Sequence, residues 1–317
     1  MAAQKRRGCL GCSFPVLIIV GIITLGIVVV GFLAGAIGQK LFPGINLPEV
    51  FAVPPPDPHL PAPVLFHLFG LPITVGVLAG WLTVVVLVAL SWAVTRRIKI
   101  IPGRLQVTFE AVLGWIFDLC KSVAGEENGR RFFPVICTLF LFVLFNAWLS
   151  LLPGFGPAFT NHGEEFEILR GANADINTPL ALAVISFVFV AYYGFKSLGI
   201  GWLRQYFNFG PLFRGIGRMF KGKFSPMDIF SGVITAFVGG LEFLSRIITI
   251  ISFTFRLFGN MTAGEILLLI AAFLVPWVLA LPFYGLELLI GLVQALIFSL
   301  LTLVFVTMAV APHEHET

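Results

Sequence analysis

Of the 317 residues, 58% are hydrophobic and only 11% are charged, against about 25% charged in an ordinary soluble domain. A chain so poor in polar residues has no segment that could build a separate soluble core, and the composition is that of a membrane protein. The formal charge of +4 at pH 7 is small, and the gathering of most basic residues into short stretches between apolar runs argues against a nucleic-acid partner.

The first apolar run, Phe14 to Ile37, follows Lys5, Arg6 and Arg7 and would be about 36 Å long as a helix, enough to cross a hydrocarbon layer of about 30 Å. Its length favours a retained span over a cleaved signal peptide. Cys9 and Cys12 form a C-x-x-C without a second pair, which points to the membrane surface rather than to zinc or redox chemistry. Leu41 to Pro63 carries eight prolines, from Pro43 to Pro63, and reads as an extended external linker. His59 and His67 have no partner spacing that would suggest a metal.

Leu71 to Val94 is the next expected span, closed by Thr95-Arg-Arg-Ile-Lys99. Between Gly103 and Gly125 apolar residues such as Leu105, Phe109, Val112 and Ile116 alternate at helical spacing with Arg104, Glu110, Asp118 and Lys121, the pattern of a helix lying along the membrane surface. Cys120 and Cys137 are expected to be packing residues. Phe132 to Leu152 is a further span, and an external loop leads to Asp175 and Asn177, which would cap a helix beginning ahead of Pro179. That helix, Thr178 to Leu198, ends before a second basic loop, Arg204 to Lys223. By the positive-inside rule, the N-terminus and both basic regions are cytoplasmic.

The last two apolar runs are longer than an upright span requires. Asp228 to Ala272 would measure about 67 Å and Trp277 to Ala311 about 52 Å as helices. Strong tilt is the preferred explanation over a kink at Gly239-Gly240, with Pro276 and Pro282 making the turn between them. The fold class is therefore all-α and multi-pass, with about six membrane helices, an amphipathic surface helix and a C-terminal pair of long tilted helices. Residues 1–65 would form the N-terminal helix and linker, and 66–317 the main membrane domain.

The first long run carries Glu242, Arg246, Arg256, Asn260 and Glu265. A charge near the bilayer centre costs about 2.5–3.5 kcal/mol on insertion scales, so such residues face a protein interior or a water-filled path. At about 100° per residue, Asn260 and Glu242 fall within about 40° of the Arg256 face, whereas Glu265 lies on the opposite face. Glu287 and Gln294 share one face of the last run. The Asn260-Met-Thr262 sequon lies in apolar helix and is discarded. His313 and His315 belong to a solvated tail.

The stretch Phe255-Arg-Leu-Phe-Gly-Asn-Met-Thr-Ala-Gly-Glu265 resembles the R-L-F-G-N-M-x-A-G-E signature of subunit a of the rotary F-type ATP synthases. Supporting similarity runs from about Pro102 to the C-terminus, through Phe133-Pro-Val-Ile-Cys-Thr-Leu-Phe, Asn146, Ala174-Asp-Ile-Asn-Thr-Pro-Leu-Ala and Gln294-Ala-Leu-Ile-Phe. The resemblance implies a non-catalytic, proton-translocating stator in a bacterial inner membrane, without a cofactor. Its partners would be a c-subunit ring and b-type peripheral stalk subunits, within the lipid bilayer. Both termini would be cytoplasmic if the first span is retained. Arg256 matches the essential arginine that separates two half-channels, Glu265 and Glu287 match inlet positions, and Glu242 matches a polar position on the exit side. Asn260 and Gln294 match residues that tune the arginine's setting.

Two departures stand out. Some relatives carry histidine at the position of Glu287, and many carry a basic residue seven positions before the essential arginine, where this chain has Arg246 ten before; Arg246 is placed to pair with Glu242. A stand-alone secondary transporter is the alternative, but the inverted repeats it would require are not visible. No G-x-x-x-x-G-K-[ST], H-E-x-x-H or G-x-S-x-G motif supports an enzyme.

Overall fold

The computed structural model describes residues 14–42, 64–68, 70–96, 98, 103–152, 157–161, 164–167, 171–199, 201–202, 226–276 and 279–311. The proline-rich linker and the second basic loop thus lie almost wholly outside the described residues, as do the C-terminal histidines. Seven helices dominate: α1 Phe14–Ala34, α2 Ala36–Leu41, α3 Val75–Thr95, α4 Arg104–Ser150, α5 Asn177–Leu198, α6 Pro226–Leu274 and α7 Ala280–Val310. Among the described residues five, α3 to α7, are long and apolar enough to cross a membrane. The first expected run corresponds to α1, whose 21 residues include no charged side chain.

Local chemistry explains most boundaries. Gly125 at φ 80°, ψ 170° interrupts α4 and separates the expected surface segment from the apolar segment that follows, a backbone conformation natural to glycine. No such break occurs at Gly239-Gly240, and α6 continues for 49 residues, about 73 Å, while the 31 residues of α7 give about 46 Å. Helices of that length fit a layer of about 30 Å only by tilting or by emerging from it.

Three sequence expectations change. Leu71 to Thr74 is not the start of a helix but strand β2, paired antiparallel with β1, Val64–Leu68. Pro72 lacks the N–H that a helix interior needs, and Gly70 at φ 83° permits the tight reversal. The external loop likewise contains a hairpin of β3, Pro157–Asn161, and β4, Glu164–Glu167. Pro282 is not in the turn after α6; it sits in the first turn of α7, where a missing N–H removes no helical hydrogen bond.

The chain divides into two compact units, residues 1–60 with 262–290, and residues 61–261 with 291–317. In the first, Gly35 between α1 and α2 lies against the backbone of Leu274, and a Cβ there would stand 2.9 Å from Pro276 Cδ. In the second, Ile116, Phe132, Ile136 and Val143 of α4, Leu182 and Val190 of α5, Phe253 and Leu257 of α6, and Phe298 and Val306 of α7 form one buried core. Gly291 admits a close approach of α7 to α4, since a Cβ there would be 2.8 Å from Ala147 Cβ.

Polar latches fix the register of this apolar bundle. Asn146, 1% exposed, donates from Nδ2 to Thr83 Oγ1 at 3.2 Å and accepts at Oδ1 from the Asn173 backbone N–H at 3.3 Å. Asp175 accepts from Thr74 Oγ1 at 2.6 Å and from the Asn177 N–H and side-chain amide at 3.2 and 3.0 Å. The expected capping role is thus met by Asp175, whereas Asn177 is the first residue of the helix. Asn146→Ala leaves the buried Asn173 N–H without its acceptor, while the Thr83 hydroxyl keeps its own bond to the Ala79 carbonyl at 2.9 Å, so the change is expected to destabilise the folded chain by about 1–3 kcal/mol, read as a lower thermal midpoint in detergent.

Candidate functional site

In the second unit, the residues around Arg256 are set by the helical repeat of α6. Phe253 and Leu257 are buried on the inner side, Phe255 is exposed, and Arg256 is half-buried. Phe253 stacks at a tilt against Phe298, with centroids 5.0 Å apart, and against Phe305 at 5.9 Å, which clamps α6 to α7. The Arg256 guanidinium carbon lies 5.9 Å from the centroid of the Phe253 ring, a favourable cation–π distance. Among the described residues, no carboxylate forms an ion pair with Arg256.

One turn further, Asn260 Nδ2 donates to Gln294 Oε1 at 2.7 Å. Gln294 is 5% exposed, and its Nε2 has no acceptor among the described residues. Toward the start of α6, an Arg246 guanidinium nitrogen stands 3.9 Å from Glu242 Oε1, so the expected pairing of these two residues is present. The carbon of that guanidinium is 6.0 Å from the centroid of Phe305.

In the first unit, Glu265 is half-buried and Glu287 is 5% exposed. The Glu287 carboxyl rests on Gly264: a Cβ built there would collide with both carboxyl oxygens and Cδ. Glycine at 264 thus leaves the space that the end of the Glu287 side chain occupies, and any larger residue would displace that carboxyl. Thr262 is also buried, and its hydroxyl has no partner among the described residues.

The structure thus joins Asn260 to Gln294 and Glu242 to Arg246, and among the described residues no acid is ion-paired with Arg256. Two contributors escaped the sequence reading. Gly264 was visible only as part of the motif, because its contact with Glu287 spans two helices. Ser186 and Thr302, joined by a 2.8 Å hydrogen bond, carry no local signal beyond being hydroxyls in apolar helices.

Gly264→Ala is expected to push the Glu287 side chain off its seat at a cost of about 1–3 kcal/mol. Glu287→Asp, one methylene shorter, should recover part of that loss in the double variant, and additive thermal shifts in the four-way cycle would deny the contact.

Comparison with known proteins adds a second line of support. The family model described as ATP synthase A chain matches residues 77–307. The chain is 32% identical over 226 residues to ATP synthase subunit a of Geobacter sp. (strain M21), covering 71% of this chain and 83% of the relative. It is 34% identical over 234 residues to ATP synthase subunit a of Gloeobacter violaceus, covering 74% and 82%. A third relative, ATP synthase subunit a of Aliarcobacter butzleri, is 29% identical over 235 residues, covering 74% and 88%.

Proposed function

This chain belongs to the ATP synthase A chain family, and from that membership we propose that it is the proton-translocating stator of an F-type ATP synthase, exchanging protons with a rotating ring of c subunits. The observation that carries this reading is Arg256, a half-buried cation on an apolar helix with no ion-pairing carboxylate among the described residues. A guanidinium keeps its charge at any accessible pH. Its natural counter-ion is then a carboxylate brought by another subunit, which is what a c ring supplies.

In this proposal Arg256 attracts each ionised ring carboxylate and repels a free proton, so that it stands as a barrier between two half-channels. At about 4 Å and an effective dielectric constant near 20, opposite unit charges attract by about 4 kcal/mol, enough to make the ring carboxylate release its proton and not enough to trap it. Glu265 and Glu287 serve the inlet side and Glu242 the exit side. The Asn260–Gln294 bond holds α6 and α7 in register beside the arginine, and the open donor on Gln294 Nε2 is suited to a water in the path. The subunit performs no nucleotide chemistry itself. The b-type stalk subunits hold it against rotation in a bacterial inner membrane, with both termini cytoplasmic where the first span is retained. Residues 66–317 form its membrane domain, and residues 1–65 form an accessory segment.

Arg256→Ala in the assembled complex is expected to abolish ATP-driven proton pumping in vesicles, measured by acidification of the lumen, while the c ring still co-purifies. Pumping at the unmodified rate would overturn the proposal.

A further inference from the structure

A small cavity lies between α5, α6 and α7 in the second unit, bordered by Ser186, Val190, Arg246, Thr249, Phe253 and Phe305. Its volume of about 20 Å³, measured for the centre of a water-sized sphere, exceeds the roughly 10–15 Å³ that one water requires. The polar atoms on its wall have a definite pattern of donors and acceptors. Thr249 Oγ1 donates to the Ser245 carbonyl at 2.8 Å. Thr302 Oγ1 donates to the Phe298 carbonyl at 2.9 Å, so the proton in the 2.8 Å Ser186–Thr302 contact comes from Ser186.

Both cavity hydroxyls have therefore spent their single protons and offer only lone pairs. Arg246 is the reverse, with N–H donors and no acceptor, and it reaches Glu242 at 3.9 Å through one nitrogen. Two hydroxyl-bearing residues able to accept and one cation able to donate border this water-sized space, and a single water complements that set with its two protons and its lone pairs.

We propose that Ser186, Arg246 and Thr249 form a binding site for one water molecule. Arg246 then holds that water on one side and the Glu242 carboxylate on the other, which makes it a positioning residue for the exit path. This rests on the reading of Glu242 as the exit-side group. Arg256 faces an acid that arrives and leaves, whereas Arg246 keeps its acid and its water in place.

The test uses the assembled synthase in vesicles, with Cys9, Cys12, Cys120 and Cys137 replaced by alanine. Silver ion, comparable in size to water, binds a thiolate only where both are hydrated. Thr249→Cys and Ser186→Cys are expected to make proton pumping silver-sensitive, whereas Ile248→Cys, whose parent side chain is exposed on the outer surface of α6, is not. Equal insensitivity of all three would show a dry cavity and overturn the site.

Arg246→Leu is expected to lower pumping several-fold without raising passive proton leak, and Arg246→Lys to restore most of the rate; unmodified pumping in Arg246→Leu would overturn the positioning role. If Arg246→Leu does not assemble, the silver measurements with Arg246 intact still decide. Failure of the wider functional reading is seen separately, as pumping retained in Arg256→Ala, and leaves the silver result unaffected.

Discussion

A guanidinium cannot discard its charge in the accessible pH range, so a helix that carries one through apolar surroundings must find it a counter-charge or a hydrated face. Arg256 meets this constraint by staying half-buried, with its guanidinium over the Phe253 ring and no ion-paired carboxylate among the described residues. The packing behind it is correspondingly rigid. Leu257 and Ala295 are fully buried, and Phe253 is wedged against Phe298 and Phe305, so this clamp, together with the Asn260–Gln294 bond, fixes where the arginine stands.

The rest of the bundle follows from the poverty of driving forces between apolar helices in lipid. Lipid tails are as apolar as leucine, so close packing at small residues and interhelical hydrogen bonds supply what hydrophobic burial supplies in water. Gly264 and Gly291 provide the close approaches. Asn146, Asp175, Ser186 and Asn260 provide the latches to neighbouring elements. Each such bond is worth only about 0.6 kcal/mol on average in a membrane protein, yet each is directional, and together they exclude slipped registers that apolar contacts alone would tolerate.

Much of this was legible in the sequence because the membrane makes apolar run length a strong signal. The helical runs, the interruption at Gly125 and the signature around Arg256 all read directly. The Glu242–Arg246 pair was visible too, since an i, i+4 spacing places both on one helical face. What escaped depends on tertiary approach. Gly264 meets Glu287 across a helix pair, and Ser186 meets Thr302 across 116 positions, distances over which no periodicity carries information. The β1–β2 hairpin was missed for a different reason: Pro72 lies within β2, which argues against strand from local propensity alone, and pairing supplied what propensity did not.

The two arginines of α6 show how neighbouring cations on one helix come to do different work. Ten residues separate them, about 80° apart around the axis, so they present to different neighbours. Arg246 has an acid on its own helix at 3.9 Å, and its field beyond the pair is largely cancelled. Arg256 has no such acid among the described residues, and its field stays open. Under the proposed function, a second uncompensated cation nearby would compete for the ring carboxylate and blunt the difference between the two sides of the proposed barrier. The carboxylate of Glu242 thus does two things at once: it makes Arg246 tolerable in an apolar helix, and it leaves Arg256 as the group on α6 to which an incoming negative charge responds.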